Sequence, residues 1–236
     1  MSHVKNVQAF GKLKGICTGY GGQYNPGQQN LQVNAMSTLL NSAQQTMEDL
    51  NEAQTIYDNA TNNRVLGFKG IRKLSSRILS VLQSSGAHPL TVADARVSVR
   101  KVWGARSKRV TEPPKAAEQA KTSIVYGQDY VSIAYHFAKL VETVSAEAQY
   151  NPNEEELSVE GMHQRLEELH SLNDAVTNAE IVLGQARRKR NALYYTGDGN
   201  LFSTALAAKQ YVRGVFGFGS TQHLEVRRVR FTKPKL

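Results

Sequence analysis

Glu167-x-x-His170, with His163 one turn earlier, comes nearest to metal chemistry in this chain. Residues three and four apart share one face of a helix, so a carboxylate and two imidazoles would point the same way. Di-iron helical bundles use such a Glu-x-x-His pair, but they need a second pair on a facing helix. The positions related to Glu167 and His170 by the internal repeat described below are Asn41 and Gln44, which supply neither a carboxylate nor an imidazole. His163, Glu167 and His170 therefore read as exposed polar residues, and no metal site is expected. Gly197-Asp198-Gly199 and Gly217-Phe218-Gly219 are glycine-rich, yet neither follows a strand and opens a helix as a dinucleotide loop must, so they read as helix-ending turns. The sequence holds no phosphate-loop, nucleophile-elbow or His-Glu-x-x-His motif. Cys17, the one cysteine, lies among Gly15, Thr18 and Gly19 with no neighbouring His or carboxylate. It reads as a buried thiol, and its solitude excludes an intrachain disulfide and a Cys-based zinc site. The expectation is a non-enzymatic protein with no cofactor and no small-molecule substrate.

What the residues do offer is charge. The 236 residues carry 29 Lys plus Arg against 20 Asp plus Glu, a net of +9. Residues 61–112 hold 11 basic and 2 acidic side chains, residues 181–236 again 11 and 2, and the rest of the chain 7 and 16. The overall excess thus hides an alternation of acidic and basic stretches that occurs twice. The cations singled out are Arg64, Lys69, Arg72, Lys73, Arg100, Lys101, Arg187, Arg188, Lys189, Arg190, Arg213, Arg227, Arg228 and Arg230. Three readings stay open. They form a polyanion surface whose affinity falls steeply with salt; or they dock onto the acidic half of a neighbouring repeat, in the same chain or another copy; or they are solvated helix faces. Tyr194, Tyr195, Trp103 and Phe216 sit at or beside apolar positions, where core packing is expected rather than base stacking. Tyr20, Tyr24 and Tyr150 suit a core or an interface. No helix-turn-helix, zinc finger or RNA-reading signature appears, so sequence-specific recognition is not expected.

The elements that carry these residues come in two copies. Gln23-Tyr24-Asn25-Pro26 recurs as Gln149-Tyr150-Asn151-Pro152, an offset of 126 that also pairs Leu31 with Leu157, Met36 with Met162, Ala53 with Ala179 and Arg64 with Arg190. Phe10-x-Lys12-Leu13 answers Phe137-x-Lys139-Leu140, and Val99-Arg100-x-Val102-Trp103-Gly104 answers Val212-Arg213-x-Val215-Phe216-Gly217. The reading is an N-terminal segment 1–9, a first repeat 10–115, a linker and helix start 116–136, and a second repeat 137–236 with a basic tail. Met36, Leu40, Ala43, Met47, Leu50, Ala53, Tyr57 and Ala60 form one apolar stripe of a long helix, matched by Met162, Leu166, Leu169, Leu172, Val176, Ala179, Leu183 and Ala186. In the second copy Asn151 and Pro152 suit a helix start, with Glu154, Glu155 and Glu156 in the first turn and a length near ~60 Å over 152–192. Further helices are expected over 68–83, 92–103, 128–147 and 202–216, with a surface loop around 83–89. Gly11 to Gly22 is too glycine-rich for a confident helix. The tails Lys108–Thr111 and Leu224–Thr232 are read as extended, and Glu112-Pro113-Pro114-Lys115 as the junction. The predicted fold is all-α: two tandem-duplicated antiparallel helical bundles, end to end, of about three to four helices each with one long helix per repeat.

Tyr150-Asn151-Pro152-Asn153-Glu154-Glu155-Glu156-Leu157, Arg187-x-x-Arg190 and Tyr211-Val212-x-x-Val215-Phe216-Gly217 resemble uncharacterised, mostly helical proteins of Bacteroidota and of their phages. The resemblance covers roughly 137–236; in the first repeat Gly27 and Gln28 stand in place of the Asn and the first Glu. It implies no activity. The start, Met1-Ser2-His3-Val4-Lys5, lacks the apolar core of a signal peptide, and no apolar run is long enough to span a membrane. The expectation is cytoplasmic synthesis and incorporation into a particle, filament or similar array through self-association or other structural subunits. The alternative is a low-specificity nucleic-acid-binding protein that uses the basic stretches.

Overall fold

The computed structural model describes residues 2–104 and 129–233. Among these the chain is all-α. α1 (Ser2–Gly19) runs without a break from the N-terminal segment 1–9 into the first repeat, which also supplies α2 (Val33–Gly67), α3 (Ile71–Ser84) and α4 (Pro89–Trp103). The second supplies α5 (Tyr130–Ser145), α6 (Val159–Asn191), α7 (Leu201–Phe216) and α8 (Thr221–Arg228). Short 3-10 turns, Gln29–Leu31 and Glu155–Leu157, precede the two long helices.

The glycines of α1 do not prevent a helix. Val7, Phe10, Leu13 and Cys17 share one buried face, and that burial outweighs the propensity cost of Gly11 and Gly15. Gly11 also faces α2, where a Cβ would lie 3.6 Å from Leu40 Cδ2. α6 begins later than its Asn151-Pro152 signal suggests. The chain first makes the 3-10 turn, so Glu155 and Glu156 lie in that turn, and Ser158 caps the helix by accepting from Gly161 N at 3.0 Å. At 33 residues α6 is about 50 Å long. α5 is capped by Asp129, whose carboxylate accepts from Ser132 N at 2.9 Å. The tail Leu224–Thr232, expected to be extended, is helical as far as Arg228, in a helix that starts at Thr221, and only 229–232 are not helical. Ser220 caps the helix, and His223 and Val226 share its buried face. The loop after α3 falls where the composition places it, and His88 Nδ1 accepts from Leu90 N to start α4. The Lys108–Thr111 tail, the Glu112–Lys115 junction and most of the 116–136 linker lie outside the described residues.

The compact units do not follow the repeat boundaries. Unit 1 comprises Met1–Tyr57 with Ala179–Leu236, and unit 2 comprises Asp58–Asn178. The chain passes from one to the other within α2 and again within α6. The core of unit 1 joins Phe10, Leu13, Met36 and Ala43 of the first repeat to Tyr194, Leu201, Ala205 and Val212 of the second. The core of unit 2 joins Ile71, Ile78, Leu82 and Val102 of the first repeat to Phe137, Leu140, Met162 and Leu169 of the second. The expected end-to-end bundles are thereby replaced by two composite units, each built from opposite halves of the two repeats. The physical reason is that related repeats offer equivalent apolar faces, so a half-repeat can be covered by the partner repeat as well as by its own remainder.

Paired positions have paired roles. Phe10 and Phe137, Leu13 and Leu140, and Met36 and Met162 are all fully buried. Tyr24 OH donates to Leu31 O at 2.9 Å, and Tyr150 OH donates to Leu157 O at 2.8 Å. Each bond closes the loop leading into a long helix. Tyr20 donates to Gln222 O and Glu225 Oε2 in unit 1.

Candidate functional site

In unit 2 the end of α2, the start of α3, the end of α4 and the start of α5 meet around one open groove. Val65, Leu66, Phe68, Lys69, Gly70, Ile71, Arg72, Lys73, Trp103, Tyr130 and Ile133 line a volume of about 580 Å³. Its floor is apolar and partly open: Leu66 is 66% exposed, Val65 49% and Trp103 45%. Trp103 was expected in the core, but it ends α4 at this rim, with its indole N–H donating to Ser76 Oγ at 3.0 Å. No carboxylate lines the groove.

All six cations singled out in the first repeat lie on the elements that meet here. Lys69, Arg72 and Lys73 line the groove. Arg72 Nε donates to Val102 O at 3.4 Å, tying the start of α3 to the last turn of α4, which carries Arg100 and Lys101. The guanidinium of Arg64 stacks over the Tyr130 ring at 4.5 Å. The placement of Arg72 and Lys73 is not what α3 needs. They occupy its first turn, which holds no acidic residue, and its N-cap Gly70 supplies no side-chain cap. A cation at a helix N-terminus opposes the dipole by about 0.3–1 kcal/mol. Arg100 and Lys101, at a helix C-terminus, sit where the dipole favours them. Burial, followed by the charges of Lys101 and then Lys139, lowers the pKa of His136 on α5, consistent with a positive local field.

Beside the groove lies a cleft of about 440 Å³ lined by Lys69, Gly70, Ile71, Leu74, Glu155, Glu156, Gly161, Gln164, Arg165 and Glu168. Its charges are mixed and partly paired, since Arg165 meets Glu168 at 2.6 Å and also donates to Gly67 O. Glu156 meets Arg77 at 2.6 Å.

The cations of the second repeat lie in unit 1 and are not gathered in the same way. Lys189 Nζ donates to Asp49 Oδ2 at 2.8 Å, Arg187 to Gln54 Oε1 at 3.1 Å, and Arg190 to Asn191 Oδ1 at 2.7 Å. Arg213 stacks on Phe218 at 5.1 Å. Arg188, Arg227, Arg228 and Arg230 are exposed. Three of the four Arg187–Arg190 side chains thus make contacts within the unit.

His163, Glu167 and His170 are exposed on α6, and among the described residues no group of three or more His, Cys, Asp or Glu side chains is placed to hold a metal. Cys17 is buried, and that burial pushes its thiol up to about 11. Tyr194 and Tyr195 are core residues of a π-helical turn, Ala192–Thr196, where Tyr194 OH donates to Ala43 O at 2.8 Å. Tyr195 OH takes a bond from Asn6 Nδ2 at 3.1 Å and lies 2.9 Å from His3 Nδ1. Asn6 in turn holds the backbone of Thr232 through both its amide atoms.

The apolar half of the groove was not foreseen. Val65 and Leu66 lie beyond the stripe that ends at Ala60, and nothing in their spacing shows that two apolar side chains here are uncovered. Among the described residues no helix is long and apolar enough to cross a membrane. No protein-family model, no curated protein and no solved structure matches this chain.

Proposed function

We propose that this chain is a non-enzymatic assembly protein that makes protein–protein contacts within a larger ordered array, such as a filament or a particle. One observation carries the reading: the groove of unit 2 sets exposed Val65, Leu66 and Trp103 beside Lys69, Arg72 and Lys73, with no carboxylate on its walls. Contiguous apolar surface is stabilised when a partner covers it, and uncompensated cations at its edge favour an acidic partner. The chain already joins its own repeats with this chemistry. Arg77 of the first repeat pairs with Glu156 of the second, and Lys189 of the second with Asp49 of the first.

Light scattering on purified protein tests the reading. Oligomers whose mass grows with concentration and falls with added salt are expected; a monomer at high micromolar concentration and low salt would contradict it.

A second reading, low-specificity nucleic-acid binding, draws on the same gathering of Lys69, Arg72, Lys73, Arg100 and Lys101. It is less favoured because bases bind by stacking on open aromatic faces. Of the groove's rings Trp103 is 45% exposed, but the Tyr130 ring is covered by Arg64 on its face and by Phe68 at 4.9 Å. The groove therefore lacks the succession of open rings on which consecutive bases stack. Titrating a fluorescent single strand and a duplex at two salt concentrations separates the readings, since nucleic-acid binding requires a steep salt slope. Replacing Lys69, Lys73, Arg100 and Lys101 with Ala should then weaken binding to all sequences alike.

A further inference from the structure

The groove is asymmetric in chemistry: cations and apolar surface on its walls, no acid. A ligand that satisfies it must bring carboxylates and an apolar side chain together on one face. The chain presents such a face in unit 1, on the exposed side of α2. Gln45, Glu48, Glu52 and Ile56 follow one another at spacings of three, four and four residues, so they form one stripe of that helix. All four are exposed, Ile56 to 47%. Asp49 shares this face, four residues after Gln45, which donates to it at 3.0 Å, and three before Glu52. It is engaged by Lys189, which leaves Glu48 and Glu52 as the exposed acids of the stripe. The stripe recurs in part at the repeat offset of 126, where α6 carries Asp174 for Glu48 and an exposed Val182 for Ile56.

We propose that the cationic groove of unit 2 receives the Glu48-Glu52-Ile56 face of α2 from a second copy of this chain. The inference rests on the assembly reading above and names its partner. Glu48 and Glu52 lie one turn apart, about 6 Å along the axis, and Lys69 and Lys73 stand on either side of the start of α3, both lining the groove. The carboxylates would meet the first turn of α3, where the helix dipole adds to the lysine charges and relieves the unfavourable placement of Arg72 and Lys73. Ile56 would cover Leu66 and Val65, removing apolar surface from water on both sides. The groove and the stripe share no residue, so one copy can offer both at once. Made in one direction, the contact is heterologous and its repetition gives a ring or an open filament; made reciprocally between two copies, groove to stripe and stripe to groove, it closes a two-fold dimer. The first outcome is the ordered array of the assembly reading, and it is distinguished by a mass that keeps growing with concentration rather than stopping at two chains.

The test is a charge swap in the full-length chain, read by light scattering and sedimentation, with circular dichroism to confirm that each variant stays helical. Wild type is expected to associate. Lys69→Glu/Lys73→Glu alone and Glu48→Lys/Glu52→Lys alone should each associate roughly tenfold more weakly or worse. An equimolar mixture of the two variants should regain association, now limited to unlike pairs, because the only complementary surfaces lie on different chains. If wild type is monomeric, the assembly reading itself fails. If wild type associates and Lys69→Glu/Lys73→Glu associates equally well, the reading stands and the groove is not the docking site. If both variants are weakened but the mixture is not restored, the α2 stripe is not the occupant. If wild type is monomeric yet binds a fluorescent oligonucleotide that Lys69→Glu/Lys73→Glu does not bind, the groove belongs to nucleic acid, and the proposal is overturned.

Discussion

Replacing Tyr150 with Phe removes one oxygen and leaves the ring in place. That oxygen donates to Leu157 O at 2.8 Å, and Tyr150 is only 6% exposed. The substitution therefore keeps the apolar burial of the ring and deprives a buried carbonyl of its donor, a loss of about 1–2 kcal/mol. The bond spans seven residues and closes the turn that launches α6, so the cost should fall on unit 2 as a whole. For a cooperative unit of this size it corresponds to a drop in Tm of roughly 4–8 °C. Tyr24→Phe is the matched perturbation in unit 1, where the hydroxyl donates to Leu31 O at 2.9 Å and also touches Met36 Sδ at 3.8 Å. The two sites share no partner, so the double variant should show the sum of the single effects within about 0.5 kcal/mol. The effect has a defined pH dependence. Burial, followed by the nearby Glu154 charge, pushes the Tyr150 hydroxyl up to about 12. A raised phenol contributes its stability in full below the unfolded value near 10 and loses it as pH rises towards 12. The penalty of Tyr150→Phe should thus be equal at pH 6 and pH 9. Thermal melts give the shift in Tm, and urea melts at each pH give the free energies, both followed by far-ultraviolet circular dichroism. A Tyr150→Phe variant as stable as wild type, or one whose deficit changes between pH 6 and pH 9, would refute the reasoning.

Other perturbations follow from equally local features. Asp129→Ala removes the cap of α5, whose two carboxylate oxygens hold Ser132 N at 2.9 Å and Ser132 Oγ at 2.7 Å. A loss of about 0.5–2 kcal/mol is expected at pH 7 by urea melt. Those bonds depress the Asp129 pKa, so the deficit should shrink as pH falls through the depressed value. Gly184→Ala, inside α6 with only Arg188 Nη1 at 3.8 Å from the added Cβ, should stabilise the chain by about 0.5–1 kcal/mol in the same assay. Cys17 should resist a thiol reagent at pH 8 until denaturant is added, because the buried thiol is raised to about 11 and only the thiolate reacts. Fast labelling of the native protein would contradict that.

Much of the helical content is written in the sequence. The Met36 and Met162 stripes show which faces are buried, and the Gln-Tyr-Asn-Pro repeat marks two turns that share one tyrosine bond. The partner of each face is not written there. A stripe of Met, Leu and Ala specifies that something apolar must cover it, and two related repeats offer chemically equivalent covers. The long helices are continuous through the exchange, so no turn signal betrays it. In α1 the glycines weigh against a helix one residue at a time, while the burial of Phe10 and Leu13 acts only after α7 and α8 are in place. At 221–231 the apolar residues fail to alternate because His223, Val226 and Val229 recur every three residues, in and just after a helical turn. The cations of the groove were legible individually. Their meeting with Leu66 and Trp103 was not, because α2, α3 and α4 converge only in three dimensions.

The exchange of halves between repeats can be tested by cutting the chain between them. Residues 1–115 and 116–236 would be produced as two polypeptides in the same cell, with an affinity tag on one. Each unit needs both pieces, so the untagged piece should co-purify in equal amount, and the complex should have the helicity and thermal stability of the intact protein. Recovery of each piece alone as a stably folded helical monomer would contradict the account.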